Sequence, residues 1–273
     1  MTAPVSLSRL RACRSALFLP ASNPRAIAKA RTLAADMVIL DCEDAVKAED
    51  KGAARRAAVE AVAEGFGGRI AAIRINPPDR HWHEEDIAAV AGSAADYVVL
   101  PKAESMDAIE RVAGATGKKV LAMIETPAGV LAAASIASVS AALIAGTNDL
   151  AAELGIPAAA GRSGLAHSLQ TIVLAARAGG AAVFDGVYNQ LEDHEGLAAQ
   201  CREGRSYGFD GKTLIHPGQI EIANRLFGPD EEEVAAARRL IAAASGGAER
   251  FEGRMVEAMH VAQAEALLAK ARV

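Results

Sequence analysis

The sequence predicts an α/β fold, a (β/α)8 barrel followed by a C-terminal helical extension. Three observations predict it. Short apolar runs recur eight times, with helix-length segments between them. The runs are continuous rather than alternating in apolar character, as in parallel strands buried on both faces. The composition is 51% hydrophobic but only 4% aromatic, which suits alanine-rich helices around small aliphatic strands better than a β-sandwich. A chain of 273 residues is long enough for one barrel and buries most of its surface without disulfide staples.

The expected strands are residues 15–19, 37–40, 70–75, 97–100, 120–124, 141–145, 181–184 and 213–215. Segments 23–35, 51–64, 105–116 and 164–178 between them have helical periodicity. Ser22 with Pro24 marks one helix start, and Ser105 with Asp107 another. Eight β-then-α units in one chain point to a closed barrel over residues 1–228. A doubly wound sheet is the alternative, but no GxGxxG or GxxxxGK[ST] phosphate loop occurs. Phe227-Gly228-Pro229-Asp230 then breaks the chain, and residues 229–273 form the extension, a lid or oligomer arm. A helix is expected over residues 231–244, a hinge at Gly246-Gly247, and a last helix at the end of 250–273.

A net charge of −5 with interspersed signs excludes a nucleic-acid footprint while leaving room for a local basic cleft. Cys13, Cys42 and Cys201 form no CxxC pair, which points to reduced thiols in a cytoplasmic protein without a zinc site. The apolar runs stop well short of the roughly 18 residues a membrane span needs. Arg9, Arg11 and Arg14 at the start resemble a transit peptide, but the run Ala16-Leu17-Phe18-Leu19-Pro20 reads as the first strand.

In such a barrel the chemistry sits where strands end. The second strand ends in Asp41-Cys42-Glu43-Asp44, the third in Arg74-Ile75-Asn76 and the fourth in Pro101-Lys102. The fifth ends in Glu125-Thr126, the sixth in Gly146-Thr147-Asn148-Asp149, and Asp185 and His216 close the last two. Any single carboxylate there reads equally well as a helix N-cap. Several acids, an Arg and a Lys around one mouth are costly to co-locate unless they bind something charged. Glu125 and Asp149, on neighbouring strands, suit Mg²⁺, which takes oxygen ligands and keeps several waters. Such an ion would stabilise charge on the oxygen of an oxo or hydroxy acid.

Seven stretches in order resemble the citrate lyase β-subunit-like branch of the HpcH/HpaI aldolase superfamily. They are Arg14-Ser15-Ala16-Leu17-Phe18-Leu19-Pro20, Leu40-Asp41-Cys42-Glu43-Asp44-Ala45-Val46, Arg74-Ile75-Asn76 and Leu100-Pro101-Lys102. They continue with Ile124-Glu125-Thr126-Pro127-Ala128-Gly129-Val130, Gly146-Thr147-Asn148-Asp149-Leu150 and the stretch from Gly208 to Pro217. The resemblance implies a TIM barrel, a homotrimer or dimer of trimers, and Mg²⁺ on Glu125 and Asp149. It implies that Arg74 grips the substrate carboxylate while Glu43 and Asp44 support the metal's waters and orient Arg74. Malyl-CoA and citramalyl-CoA lyases of this kind take a CoA thioester, and Arg14, Arg25 and Lys29 are the candidates for its phosphates. Lys102 is a further substrate-binding candidate.

The tail departs from the family pattern. Relatives carry Gly-Lys/Arg-Met-Ile/Val-Asp, whose Asp serves a neighbouring subunit's site as acid/base. Here the stretch is Gly253-Arg254-Met255-Val256-Glu257, and Glu257 is one methylene longer. The expected function is Mg²⁺-dependent carbon–carbon cleavage or formation of a 3-hydroxyacyl-CoA bearing a distal carboxylate. Citramalyl-, malyl- or citryl-CoA would yield a 2-oxo acid and acetyl-CoA. One alternative is a CoA-independent class II aldolase on pyruvate or oxaloacetate, disfavoured because no His follows the second strand. Another is a citrate lyase β subunit working on a carrier-bound thioester. His81-Trp82-His83 reads as surface, His216 as the start of the last barrel helix, and Asp193-His194-Glu195 as an exposed turn.

Overall fold

The computed structural model describes residues 5–244 and 247–271. Eight parallel strands close into a barrel in sequence order. They are β1 (Ser15–Pro20), β2 (Met37–Asp41), β3 (Ile70–Arg74), β4 (Tyr97–Leu100), β5 (Lys119–Ile124), β6 (Ala142–Ala145), β7 (Ala182–Asp185) and β8 (Gly211–Leu214). Helix α1 (Leu7–Ala12) precedes them, and α2 (Pro24–Ala30), α3 (Lys51–Glu64), α4 (His83–Ala91), α5 (Met106–Thr116) and α6 (Pro127–Val139) follow the first five strands in turn. Strand β6 leads into α7 (Thr147–Glu153) and α8 (Ala166–Gly179), β7 into α9 (His194–Tyr207), and β8 into α10 (Ile220–Phe227). The chain continues through α11 (Glu231–Ala243), a hairpin of β9 (Glu249–Phe251) and β10 (Arg254–Val256), and α12 (Ala258–Lys270). Gly246 of the expected hinge lies outside the described residues.

The strands read as unbroken apolar runs because both of their faces are buried. Ala16, Met37, Ile39, Val99, Met123 and Phe184 fill the barrel, while their neighbours Leu17, Val38, Leu40, Val98, Ala122 and Val183 pack under the helices. Leu10 of α1 and Cys13 extend the inner layer at the base. Burial pushes the thiols of Cys13 and Cys201 up, to about 12 and about 11, and that of Cys42 up as well, so all three stay protonated and inert.

Two elements differ from expectation for identifiable reasons. Helix α2 begins at Pro24 with Asn23, not Ser22, as its cap: the Asn23 side chain accepts the Ala26 N–H at 3.1 Å. It stops at Ala30 rather than running to residue 35, and the Arg69 guanidinium takes the freed carbonyls of Ala30, Arg31 and Leu33. Strand β8 starts two residues early, at Gly211, where a Cβ would come within 2.8 Å of the Arg14 carbonyl oxygen. Gly and Lys at its start hide its first two residues from a search for apolar runs.

Lys212 of β8 points outward under the helices and is fully buried. Its ammonium donates to Asp185 Oδ2 at 3.1 Å, to Gln200 Oε1 at 2.7 Å and to the Gly186 carbonyl. Arg162 reaches the same carboxylate with both terminal nitrogens, at 2.9 and 2.6 Å. Asp185 thus ties the loop after α7 to β7 and β8. Asp185→Ala leaves the buried Lys212 ammonium without a carboxylate, while Arg162 keeps Glu203 at 3.1 Å, and is expected to cost about 3–5 kcal/mol, read as a lower urea midpoint at unchanged slope.

Candidate active site

The strands' C-terminal ends open into a cavity of about 370 Å³ lined by Phe18, Asp41, Asp44, Arg74, Glu125 and Asp149, among others. Of the sequence-selected residues, Arg74, Asp44, Glu125 and Asp149 therefore converge, and Glu43 adjoins them.

Arg74 ends β3 and is buried, directly beside Asp41 at the end of β2 in the parallel register. Its Nε and Nη2 donate to Asp41 Oδ1 and Oδ2 at 2.7 and 2.6 Å. The guanidinium carbon lies 5.0 Å above the Phe18 ring, and Nη1 is 3.5 Å from Asp44 Oδ2. Burial works against its charge, but Asp41, Glu43 and Asp44 outweigh it, and the group stays firmly protonated.

Glu43 Oε2 lies 2.8 Å from Arg74 Nη1, yet off the N–H direction, so this buried oxygen accepts no hydrogen bond. Burial pushes the Glu43 carboxyl up to about 8 against the pull of Arg74, and Asp44, Glu125 and Asp41 add to the rise.

Glu125 is free of the capping role a post-strand acid often has, because Thr126 caps α6 by accepting the Gly129 N–H at 3.0 Å. Its Oε1 accepts the Lys102 backbone N–H at 2.7 Å. Lys102 is held at φ 47°, a left-handed conformation that costs a non-glycine residue roughly 1 kcal/mol and here aims that N–H at the carboxylate. On its other side Glu125 packs against Gly146, where a Cβ would come within 2.5 Å of Oε2. Burial raises the Glu125 carboxyl to about 7; Lys102 N–H and Arg74 oppose the rise, while Asp149 and Asp44 add to it. Asp149 sits half-buried in the first turn of α7.

This donor set fits a hard divalent cation. Glu125 and Asp149, two of the four carboxylates lining the cavity, would leave most of an octahedron to water and substrate oxygens, and a bound cation would offset the burial that raises the Glu125 carboxyl. No group of three or more His, Cys, Asp or Glu suited to a metal occurs among the described residues, so no all-protein cage competes with this pair.

Other expected site residues lie elsewhere. Arg14 precedes β1, the length of that strand away from the mouth, and pairs with Asp36 through Nε and Nη2 at 2.8 and 2.9 Å. That geometry makes it a basal clamp rather than a substrate contact. The Lys102 side chain lines a second cavity of about 320 Å³ with Glu43, Asp44, Lys51 and Arg80, and only its backbone serves Glu125. Arg25 and Lys29 are exposed on α2. Glu257 is exposed just before α12, its N–H donating to His260 Nδ1 at 3.0 Å, and it does not line the cavity.

His83, expected at the surface, is buried at the start of α4, with Nδ1 2.7 Å from the Asn76 carbonyl oxygen. His216 accepts the Gly218 N–H and opens the last barrel segment, and Asp193 caps α9 rather than forming a plain turn. Sequence reasoning missed the roles of Asp41 and Lys51. Lys51 is buried and donates to the carbonyls of Cys42 and Glu43 at 2.9 and 2.7 Å and to Asn76 Oδ1 at 2.8 Å. Asp41 had a signal, since it and Arg74 end neighbouring strands; Lys51 had none.

A family model described as HpcH/HpaI aldolase/citrate lyase matches residues 14–217. The chain belongs to this family. Among its relatives is a (3S)-malyl-CoA thioesterase of Cereibacter sphaeroides, 43% identical over 270 residues and 94% of each chain. A citrate lyase subunit beta-like protein of Mycobacterium tuberculosis is 37% identical, covering 93% of this chain and 94% of its own. The crystal structure of CitE from Mycobacterium tuberculosis in complex with magnesium, acetoacetate and coenzyme A superposes with a TM-score of 0.81 at 37% identity, covering 96% of this chain and 100% of that one. The family match spans every strand of the barrel and ends just past β8.

Two outcomes are expected of this HpcH/HpaI site. A cation must displace the Glu125 proton, so with that carboxyl near 7 the apparent Mg²⁺ affinity by calorimetry should rise about tenfold from pH 6 to pH 8, with proton release at the lower pH. Gly146→Ala, which drives a methyl into Glu125, should weaken Mg²⁺ binding about tenfold or more while the far-UV circular dichroism stays unchanged.

Proposed function

We propose that this chain is a Mg²⁺-dependent carbon–carbon lyase for a 3-hydroxyacyl-CoA with a distal carboxylate, of the malyl-CoA type. The observation that carries the reading is Arg74, with an edge of its guanidinium facing the same cavity as the Glu125–Asp149 pair. A carboxylate on Arg74 places the neighbouring hydroxyl or oxo oxygen toward the metal carboxylates. Mg²⁺ bound there supplies Lewis-acid stabilisation of charge on that oxygen. Arg74 anchors the acid end, and Glu43 and Asp44 hold water around the metal position. Glu257 of a neighbouring copy serves as acid/base, taking the hydroxyl proton or returning one to the acetyl carbon after the carbon–carbon bond breaks. The products are a 2-oxo acid and acetyl-CoA.

The magnesium, acetoacetate and coenzyme A of the CitE complex support both halves of this reading. Arg25 and Lys29, exposed on the helix after β1, are the candidates for the CoA phosphates. Residues 229–273 act as an arm between copies in a homotrimer or dimer of trimers. Three free, buried cysteines fit a cytoplasmic location, and no described helix is long and apolar enough to cross a membrane. No histidine lines the cavity among the described residues, which disfavours a His-dependent aldolase.

A second reading is hydrolysis of the thioester itself, favoured by the 43% identity to a (3S)-malyl-CoA thioesterase. The products separate the two. Purified protein with Mg²⁺ and (3S)-malyl-CoA is expected to release acetyl-CoA and glyoxylate, and Arg74→Lys to lower kcat/KM by about 100-fold or more through lost two-point binding. Free CoA and malate without acetyl-CoA would establish the hydrolytic reading instead. No product from malyl-, citramalyl- or citryl-CoA would sink both.

A further inference from the structure

Arg74 can grip a carboxylate only if its guanidinium plane is fixed and the right edge is left open. Asp41 meets both needs. It is buried, and each of its oxygens accepts one bond from Arg74 and one from the backbone. Oδ1 takes Arg74 Nε at 2.7 Å and the Glu43 N–H at 2.8 Å; Oδ2 takes Nη2 at 2.6 Å and the Ala45 N–H at 3.1 Å. Four donors saturate the carboxylate, so it is spent as a metal ligand or a base. It occupies the Nε–Nη2 edge of Arg74, so a substrate carboxylate would take the Nη1–Nη2 edge, where Nη1 also donates to Met123 Sδ at 3.8 Å and lies 2.8 Å from Glu43 Oε2. The Phe18 ring fixes the face of the guanidinium, 5.0 Å from its carbon. The turn that supplies the Glu43 and Ala45 N–H groups is itself clamped by the Lys51 ammonium on the carbonyls of Cys42 and Glu43.

We propose that Asp41 is the positioning residue for Arg74, turning its free edge toward the carboxylate of a 2-oxo or 2-hydroxy acid. The proposal rests on the reading of Arg74 as the carboxylate anchor and deepens it. Asp41 touches neither substrate nor metal; its effect passes entirely through Arg74.

A double-mutant cycle tests this. The readout is the calorimetric affinity of the Mg²⁺-loaded protein for glyoxylate, with Mg²⁺ affinity alone as the control. Asp41→Asn is expected to weaken glyoxylate about tenfold when Arg74 is present and less than twofold in an Arg74→Met background. Its Mg²⁺ affinity should stay within about threefold of the parent, because Asp41 is not a ligand. Asp41→Glu keeps the charge beside Arg74, and so the fold, but displaces the guanidinium by a methylene. It too should weaken glyoxylate at near-parental Mg²⁺ affinity. Equal losses from Asp41→Asn in both backgrounds, or parental glyoxylate affinity in both Asp41 variants, would overturn the proposal. If Arg74→Met alone leaves glyoxylate binding intact, the anchor reading of Arg74 is what fails, and the proposal falls with it.

Discussion

Burial on both faces of every barrel strand is the constraint from which the rest follows. Inner residues such as Ile39 and Val99 and outer ones such as Val38 and Val98 are equally inaccessible. A charge within such a strand needs a complete set of partners, as Lys212 has in Asp185, Gln200 and Gly186. Charges without that support are confined to strand ends, and closing the barrel gathers those ends into one ring. The parallel register then decides who meets whom: Asp41 falls opposite Arg74 because β2 and β3 pair Met37 with Ile70 and stay in step to their ends.

The ring carries an excess of negative charge that the protein alone does not balance. Asp41 neutralises Arg74, the only cation lining the cavity among the described residues. Asp44, Glu125 and Asp149 remain, with Glu43 beside them. Burial, with mutual repulsion adding to it, lifts Glu125 to about 7 and Glu43 to about 8, a rise that a bound cation would offset. An anionic substrate entering such a ring meets repulsion unless a cation is already there. Backbone devices hold the acids against that repulsion: the left-handed Lys102 peptide on one side of Glu125 and the bare Gly146 on the other.

What could be read from the sequence was whatever depends on chain-local pattern. All eight strands showed as apolar runs, and the polar residues that end them were visible as interruptions. Pairings across the fold were not visible. Arg14 sits in a motif and looks like a ligand-binding cation, but the pre-strand position puts it at the base against Asp36. Lys102 looks like a side-chain contact, and it is the backbone that reaches Glu125. His83 follows two prolines, and the turn they make folds it under Asn76. Each miss concerns a residue whose partner lies seven or more positions away or whose useful group is not its side chain, information that periodicity does not hold.

The tail brings the same logic to bear on Glu257. Helix α12 spans Ala258–Lys270, about 20 Å at 1.5 Å per residue. Its far end is tied to the barrel base, where the Lys270 ammonium donates to the Asp210 carbonyl at 2.7 Å, just before β8 begins. Glu257 is at the other end of that rod, with the exposed Met255 and Met259 on either side of it. A carboxylate so placed is not part of its own chain's cavity, and the extra methylene of Glu relative to Asp adds only about 1.5 Å of reach. In the lyase reading the proton therefore has to come from a tail belonging to another copy, whose two methionines would find apolar cover against this mouth. On that proposal assembly would be part of the chemistry, with Glu125, Asp149 and Arg74 of one chain forming a half-site that a second chain would complete.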